Sequence, residues 1–361
     1  MKIRGRDLDF TRWAMRRGTR RWGLNSRLFA TDPWPVIRRS IHDSGIPKPR
    51  QEEAIAYLGQ ARAFFHGAAD AALAEAQPVL LYYSFLNLAK ALILVRGLAA
   101  TLTKAEHGLS EGMGPGGREL VDAFLDAHPA TATRINVFDL FWRALGGVGV
   151  GPAKAKYELP TVLPQIVPGH RLWAAGARRN ERFVALDQVQ LLEDGGAIWT
   201  KLHLQHGDLT RFGIATKNVL KDAGLAGAWK QVTAPTATVC LEPSAPTTFT
   251  SRAADKVMDA INTIAPHLWT TVRSDKPYRT YYLYMCPAAQ VGSRMPQLCS
   301  IYAIAYYLGS ITRYRPHHFT SIIDGAFGPF VEAFLNDQPT QFLYLLASEF
   351  TQREVTRAAL A

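Results

Sequence analysis

The stretch "PVLLYYSFLNLAKALILVRG", residues 78–97, constrains the fold more than any other part of this chain. It is apolar on nearly every face, so it reads as a helix buried on all sides rather than one lying on a surface. Its length barely reaches that of a membrane span, and Asn87 and Lys90 stand in its middle. Polar groups inside a bilayer are costly, which makes a core helix the expected form. A buried ammonium in turn needs an anion, a carbonyl or a route to solvent along its own stem. Four- and three-residue steps put Tyr83, Asn87 and Lys90 on one helical face. Either that face ties the helix to a neighbouring loop, or it lines a polar pocket to which His107 adds an imidazole.

Such a helix needs apolar partners, and the chain supplies them on both sides. "QEEAIAYLGQARAFFHGAADAALAEAQ", from Gln51, repeats its apolar residues at three- and four-residue steps, the signature of an amphipathic helix. From Gln297 the same period returns in "LCSIYAIAYYLGSITRYR" and in "PFVEAFLNDQPTQFLYLLASEFTQREVTRAAL". Neither block covers its apolar surface alone, so residues 297–361 are predicted to pack on residues 51–150. Within the early block, "EHGLSEGMGPGG" reads as a flexible loop, "RELVDAFLDAH" as a helix and Gly146–Gly151 as a break. Residues 151–296 differ in texture. "RRNERFVALDQVQLL", "AIWTKLHLQH", "TRFGIAT", "TATVCLEP" and "TYYLYMCP" are short, alternating and bounded by Gly, Pro and Asp, which predicts antiparallel strands around a helix near 251–265. The expected class is α+β: a helical bundle built from an early and a late helical block, with a β-rich insert between them. Residues 1–50 are Arg-rich and punctuated by Pro; they are expected to form an arm or wrapping segment without long regular structure.

Charge narrows the partners. Lys and Arg outnumber Asp and Glu by 41 to 30, and a net positive surface draws polyanions. Arg12, Arg16, Arg17, Arg20 and Arg21 crowd the amino terminus with Trp13 and Trp22 among them. Arginine beside aromatic rings suits phosphate contacts and base stacking; it equally suits a segment held against its own protein by two Trp anchors. Nucleic acid is the expected partner, RNA ahead of DNA, with a protein partner as the alternative and a homodimer compatible with the pattern. No membrane association is expected. Cys240, Cys286 and Cys299 form no CxxC pair, and the amino terminus lacks the uninterrupted apolar core of a secretory signal, which together favour the cytoplasm. His203 and His206 of "KLHLQHGD" would face opposite sides of a strand, and "GGVGVGPAK" lacks the Gly-Lys-Ser/Thr ending of a phosphate loop, so neither a metal nor a cofactor is expected.

The late helix ends in "RYRPHHF", which holds Arg313, Arg315, His317 and His318. An Arg to hold phosphate and a His to move a proton is the least that metal-free RNA cleavage requires. The same segment reads as a basic helix C-terminus stopped by Pro316.

The blocks "PVLLYYSFLNLAKALILVRG", "EHGLS" and "YYLGSITRYRP", in this order, resemble the YaaC-like family of bacterial proteins from about residue 50 to the end of the chain. That resemblance implies a cytoplasmic bacterial protein and leaves its activity open. The run "ARAFFHGAADAALAEAQPVLLYYSFLNLAKALILVRG", followed by His-Gly, is similar in texture to the helical HEPN superfamily, whose members often cleave RNA through an Arg-x4–6-His motif. This second resemblance implies a metal-independent ribonuclease of defence or stress responses. Arg313 with His318 is the one match this resemblance offers for its catalytic pair; from the residues themselves, His317 is the alternative general acid or base, and Tyr83, Asn87, Lys90, His107 and Arg315 are the candidate substrate-binding residues. Pro316 before His318 and Tyr314 after Arg313 depart from the superfamily pattern. Since many of its members only bind, a scaffold that takes a partner protein or small ligand is the alternative.

Overall fold

The computed structural model describes every residue except 1, 4, 5, 8, 9, 14, 18–21, 25, 26, 71–74, 115, 116, 118, 119, 235, 236 and 359–361. For residues 2, 3, 6, 7, 15–17, 22–24, 288, 289 and 291 it describes the backbone alone. The fold is α+β and divides into two compact units, residues 32–179 with 293–351 and residues 1–31 with 180–292 and 352–361.

The first unit is helical. It contains α1 (Trp34–His42), α2 (Lys48–Ala69), α3 (Gln77–Val95), strands β1 (Leu109–Met113) and β2 (Ala123–Ala127), α4 (Val137–Ala144), β3 (Ala155–Glu158), α5 (Gln297–Tyr314), α6 (Pro316–Ile323) and α7 (Gly328–Thr351). Proline opens α1, α2 and α3 in the first turn, where its missing N–H removes no helical bond. The prolines between residues 33 and 49, expected to prevent long regular structure, stand in the first turns of two helices, the nine-residue α1 and the start of α2. Helix α3 is the centre of the unit, packed by α2, α4, α5 and α7. It is long and apolar enough to cross a membrane, but 72% of its apolar window is buried by these neighbours, as a core helix requires. Ser84 satisfies its hydroxyl by donating to the Ala61 carbonyl of α2 at 2.9 Å. Gly309 sets the approach of α5, since a Cβ there would stand 3.0 Å from Tyr82 Cβ and 3.1 Å from the Pro78 carbonyl oxygen.

Two stretches of this unit differ from expectation. "EHGLSEGMGPGG" is not a loop throughout, and the described part of "RELVDAFLDAH" is a 3-10 turn, Leu120–Asp122, followed by a strand in place of one long helix. They supply β1 and β2, which pair antiparallel with Glu111 opposite Leu125, and β3 adds on the far side of β2. Burial alternates along Ala123–Ala127 as a half-covered strand demands. Gly112 leaves room for the Phe124 ring of the neighbouring strand, which a Cβ there would meet.

The second unit carries the remaining sheets. β4 (Phe183–Ala185), β5 (Gln188–Asp194), β6 (Ala197–Gln205), β7 (Trp229–Val232), β8 (Thr238–Pro243), β9 (Leu268–Val272) and β10 (Arg279–Tyr284) form an antiparallel run β5-β6-β8-β7 and a three-stranded sheet β9-β10-β4. A short helix, Val257–Asn262, packs on β6, and Leu202, Leu204, Val239, Leu241 and Ile261 share its core. "TRFGIAT" is a difference, for it continues helix His206–Arg211 into a turn instead of forming a strand. The chain ends differ too. The helical period expected to the C-terminus stops at Gln352 (φ 52°), and β-branched Val355 and Thr356 pair in parallel with Leu28–Ala30. Glu354, almost fully buried, receives the Arg27 guanidinium at 2.5 Å and the Tyr281 hydroxyl at 3.0 Å. The Arg-rich segment is anchored within this unit, with Phe10 edge-to-face on Tyr281 and Trp13 buried beneath the Arg12 guanidinium. Arg16 and Arg17 lie in strand Met15–Arg17, paired with Trp22–Leu24; Arg20 and Arg21 lie outside the described residues.

Candidate functional site

The helical unit gathers polar groups where α3 meets the last turns of α5. Arg313 stands one turn beyond Gly309 and donates from Nε to the Gly309 carbonyl at 3.2 Å. Its Nη1 donates to the Tyr83 hydroxyl at 2.8 Å. The guanidinium lies 5.5 Å from the Tyr83 ring centroid and 4.9 Å from that of Tyr314. No carboxylate pairs with it among the described residues, so its charge rests on phenols and a carbonyl. Lys90, on the same face of α3 as Tyr83, lies 4.9 Å over the Tyr57 ring of α2. Burial pushes its pKa down and the charge of nearby Glu53 partly opposes that. The Glu53 carboxylate is held through Oε1 by the Leu102 N–H at 2.8 Å and the Thr101 hydroxyl at 3.2 Å, and no close ion pair joins it to Lys90 among the described residues.

His107 joins the two cations. Its Nδ1 is hydrogen-bonded to the Tyr82 hydroxyl, and its ring sits beside those of Tyr82 and Tyr306. Burial, then Arg313, then Lys90 lower its pKa, so the imidazole is neutral at neutral pH. An early-helix lysine and a late-helix arginine thus act on one histidine. Asn87 lies between Tyr83 and Lys90 in sequence and on the same face. It is 5% exposed, and among the described residues its amide has no hydrogen-bond partner.

The other residues singled out in the sequence are engaged elsewhere in the unit. Glu111 of β1 accepts from the Ser310 hydroxyl at 2.9 Å and pairs with Arg315 at 3.1 Å. That carboxylate, after burial, helps push the Tyr306 phenol up to about 12. His318 is buried, with Nε2 at 3.1 Å from the Tyr307 hydroxyl, while His317 is exposed. Pro316 opens a new helix after Arg315 (φ −143°, ψ 60°), which turns His318 away from the line of α5. Arg313 and His318 share no hydrogen-bond partner among the described residues. Reading the sequence alone missed Tyr57, Tyr82, Glu53 and Glu111. Tyr57 and Phe64, seven residues apart on α2, were legible as one aromatic face, but nothing in the sequence placed Lys90 on it.

Arg313 and Lys90, neither of them within ion-pair distance of a carboxylate among the described residues, stand with a phenol and an imidazole, and guanidinium and ammonium groups are donors that phosphate oxygens can accept from. The same environment gives stability a pH dependence. Burial first, then Arg315 and His317, lowers His318 below its ordinary value as well. On acidification the unfolded imidazoles therefore take up protons before the folded ones. The contribution is full above about pH 6.5 and is lost as pH falls through the folded values. Thermal melting at pH 7.5 and 5.5 is expected to show a lower Tm at the acid end, and His107→Gln with His318→Gln should flatten that difference.

A family model described as YaaC-like Protein matches residues 25–350. No curated protein matches the chain, and no solved structure does.

Proposed function

We propose, for a chain that belongs to the YaaC-like family, that the helical unit binds RNA in the bacterial cytoplasm, with Arg313 and Lys90 holding its phosphates. The observation that carries this reading is that both cations lack a paired carboxylate and bear on one neutral imidazole. A cation left unpaired at a partly buried site costs free energy in the free protein, and an anionic ligand recovers it. The chain's excess of 41 basic over 30 acidic residues favours a polyanion over a singly charged metabolite. Titration of the purified protein with generic RNA at low salt, repeated as salt is raised, is expected to show binding that weakens steeply. Absence of binding at the lowest salt would sink the reading in favour of a protein-binding scaffold.

One observation favours a second activity at this site, metal-independent cleavage of the bound strand. His107 is neutral and lies within the field of two cations. A neutral imidazole can accept a proton from a 2′-hydroxyl while the cations stabilise charge on phosphorus. Arg313 keeps the phosphate-holding role implied by the sequence. His318, buried on Tyr307, and the exposed His317 remain the alternative proton carriers. Product analysis after incubation with RNA tests this: His107→Ala should abolish cutting and retain binding, whereas loss of cutting only in His318→Ala or His317→Ala would move the proton transfer there.

A further inference from the structure

Asn87 is the polar side chain of α3 that the anion seat leaves unexplained. It is 5% exposed, yet no described residue hydrogen-bonds its amide, and neither amide atom is among the sealed polar atoms of the described residues. A buried amide without partners costs free energy. Neither atom is sealed, so donor and acceptor both remain free to take a bond from a molecule outside the chain. Its position is set by the helix. Asn87 stands about 6 Å along the axis from Tyr83 and about 4.5 Å from Lys90, so it lies between the phenol that holds Arg313 and the second cation. A group that both donates and accepts, next to a phosphate, is what would satisfy it.

A ribose 2′-hydroxyl is such a group, and a deoxyribose offers nothing in its place. Tyr314 adds a second, independent feature. It is 69% exposed, and its ring carries the Arg313 guanidinium at 4.9 Å. An exposed aromatic beside a phosphate-binding arginine is the arrangement on which unstacked bases of single strands lie. We propose that the ligand is single-stranded RNA, with one base stacked on Tyr314, the adjoining phosphate on Arg313, and the 2′-hydroxyl of that nucleotide hydrogen-bonded by Asn87. Asn87 is then the residue that tells RNA from DNA.

This inference rests on the RNA-binding reading, and the experiment separates the two. Fluorescence anisotropy is measured with oligouridylate, oligodeoxyuridylate of equal length, the 2′-O-methyl form of the RNA, and an RNA duplex. The single-stranded RNA is expected to bind tightest. Asn87→Ala should weaken RNA binding roughly two- to tenfold, to the level of the DNA, while leaving DNA affinity unchanged. Tyr314→Ala should weaken both single strands alike, about five- to a hundredfold. The DNA arm reports folding, because a misfolded variant loses both ligands. The 2′-O-methyl strand needs no variant; having lost the hydroxyl donor, it should bind the unaltered protein more weakly than RNA. If neither strand binds, the RNA reading itself fails. Equal affinity for RNA, DNA and the 2′-O-methyl strand would overturn the role of Asn87 and leave that reading standing, and a preference for duplex would overturn the single-strand assignment.

Discussion

Asp139→Ala is expected to destabilise the helical unit by about 2–4 kcal/mol, since it takes the acceptor from two backbone N–H groups, each worth roughly 1–3 kcal/mol when left unsatisfied. Asp139, in the first turn of α4, is fully buried. Its carboxylate accepts the Ala130 N–H at 2.9 Å and the Val150 N–H at 2.7 Å, and pairs with Arg143 at 2.9 Å. The arginine is partly exposed and can turn to water. The two backbone N–H groups are fixed in place by the half-buried segments that carry them, and leaving them without an acceptor is the larger part of the loss. Chemical denaturation reads the effect. Asp139→Asn, which keeps one acceptor, should lose distinctly less. Gly149→Ala should be destabilising by a related route, because a Cβ there would meet Asp139 Oδ1 at 2.4 Å from a backbone at φ +79°. A free energy of unfolding unchanged in Asp139→Ala would mean that the loop over α4 does not depend on this carboxylate.

That loop shows where sequence reasoning stops. "GGVGVG" reads as a flexible connector because glycine content marks freedom, whereas at Gly149 it marks close approach to a buried acid. Glycine misled in the same way at Gly112, which lies within a strand so that the Phe124 ring can cross it. The long elements were legible because their periodicity extends over many turns. α2 and α5 were readable as helices from apolar residues that recur at three- and four-residue steps, and α3 from an apolar run that covers nearly every helical face. Five-residue strands such as Ala123–Ala127 offer too short a window, and "ELVDAFLDA" satisfies a helical spacing as well as an alternating one. In the site, the shared face of Tyr83, Asn87 and Lys90 followed from helix geometry alone. Its neighbours did not, for Tyr57 over Lys90 and Tyr82 on His107 are set by how α2 and the loop before β1 meet α3. Glu111 was hidden because its strand was read as loop, and with it the reason why Arg315 has a carboxylate and Arg313 has none.

That difference between two arginines of one helix end yields the second large effect. If phosphates sit on Arg313 and Lys90, replacing both with alanine removes two charged hydrogen-bonding groups, each worth about 1.5–3 kcal/mol. RNA affinity at low salt should then fall by at least about a hundredfold. Counterion release gives an independent reading. For a single strand the slope of log affinity against log salt is about −0.7 per neutralised phosphate, so the double variant should flatten it by about 1.4. Arg315→Ala should do little by comparison, because that guanidinium is already matched by Glu111 at 3.1 Å. Freeing it should have the opposite sign. Glu111→Gln removes the matching charge while preserving an acceptor for the Ser310 hydroxyl, so binding should tighten and the slope steepen by up to about 0.7. Should Arg315→Ala cost as much affinity as Arg313→Ala, the phosphate seat would lie at the start of α6 and not between α3 and α5. Because the four variants differ in sign as well as size, a general loss of positive charge cannot imitate the pattern.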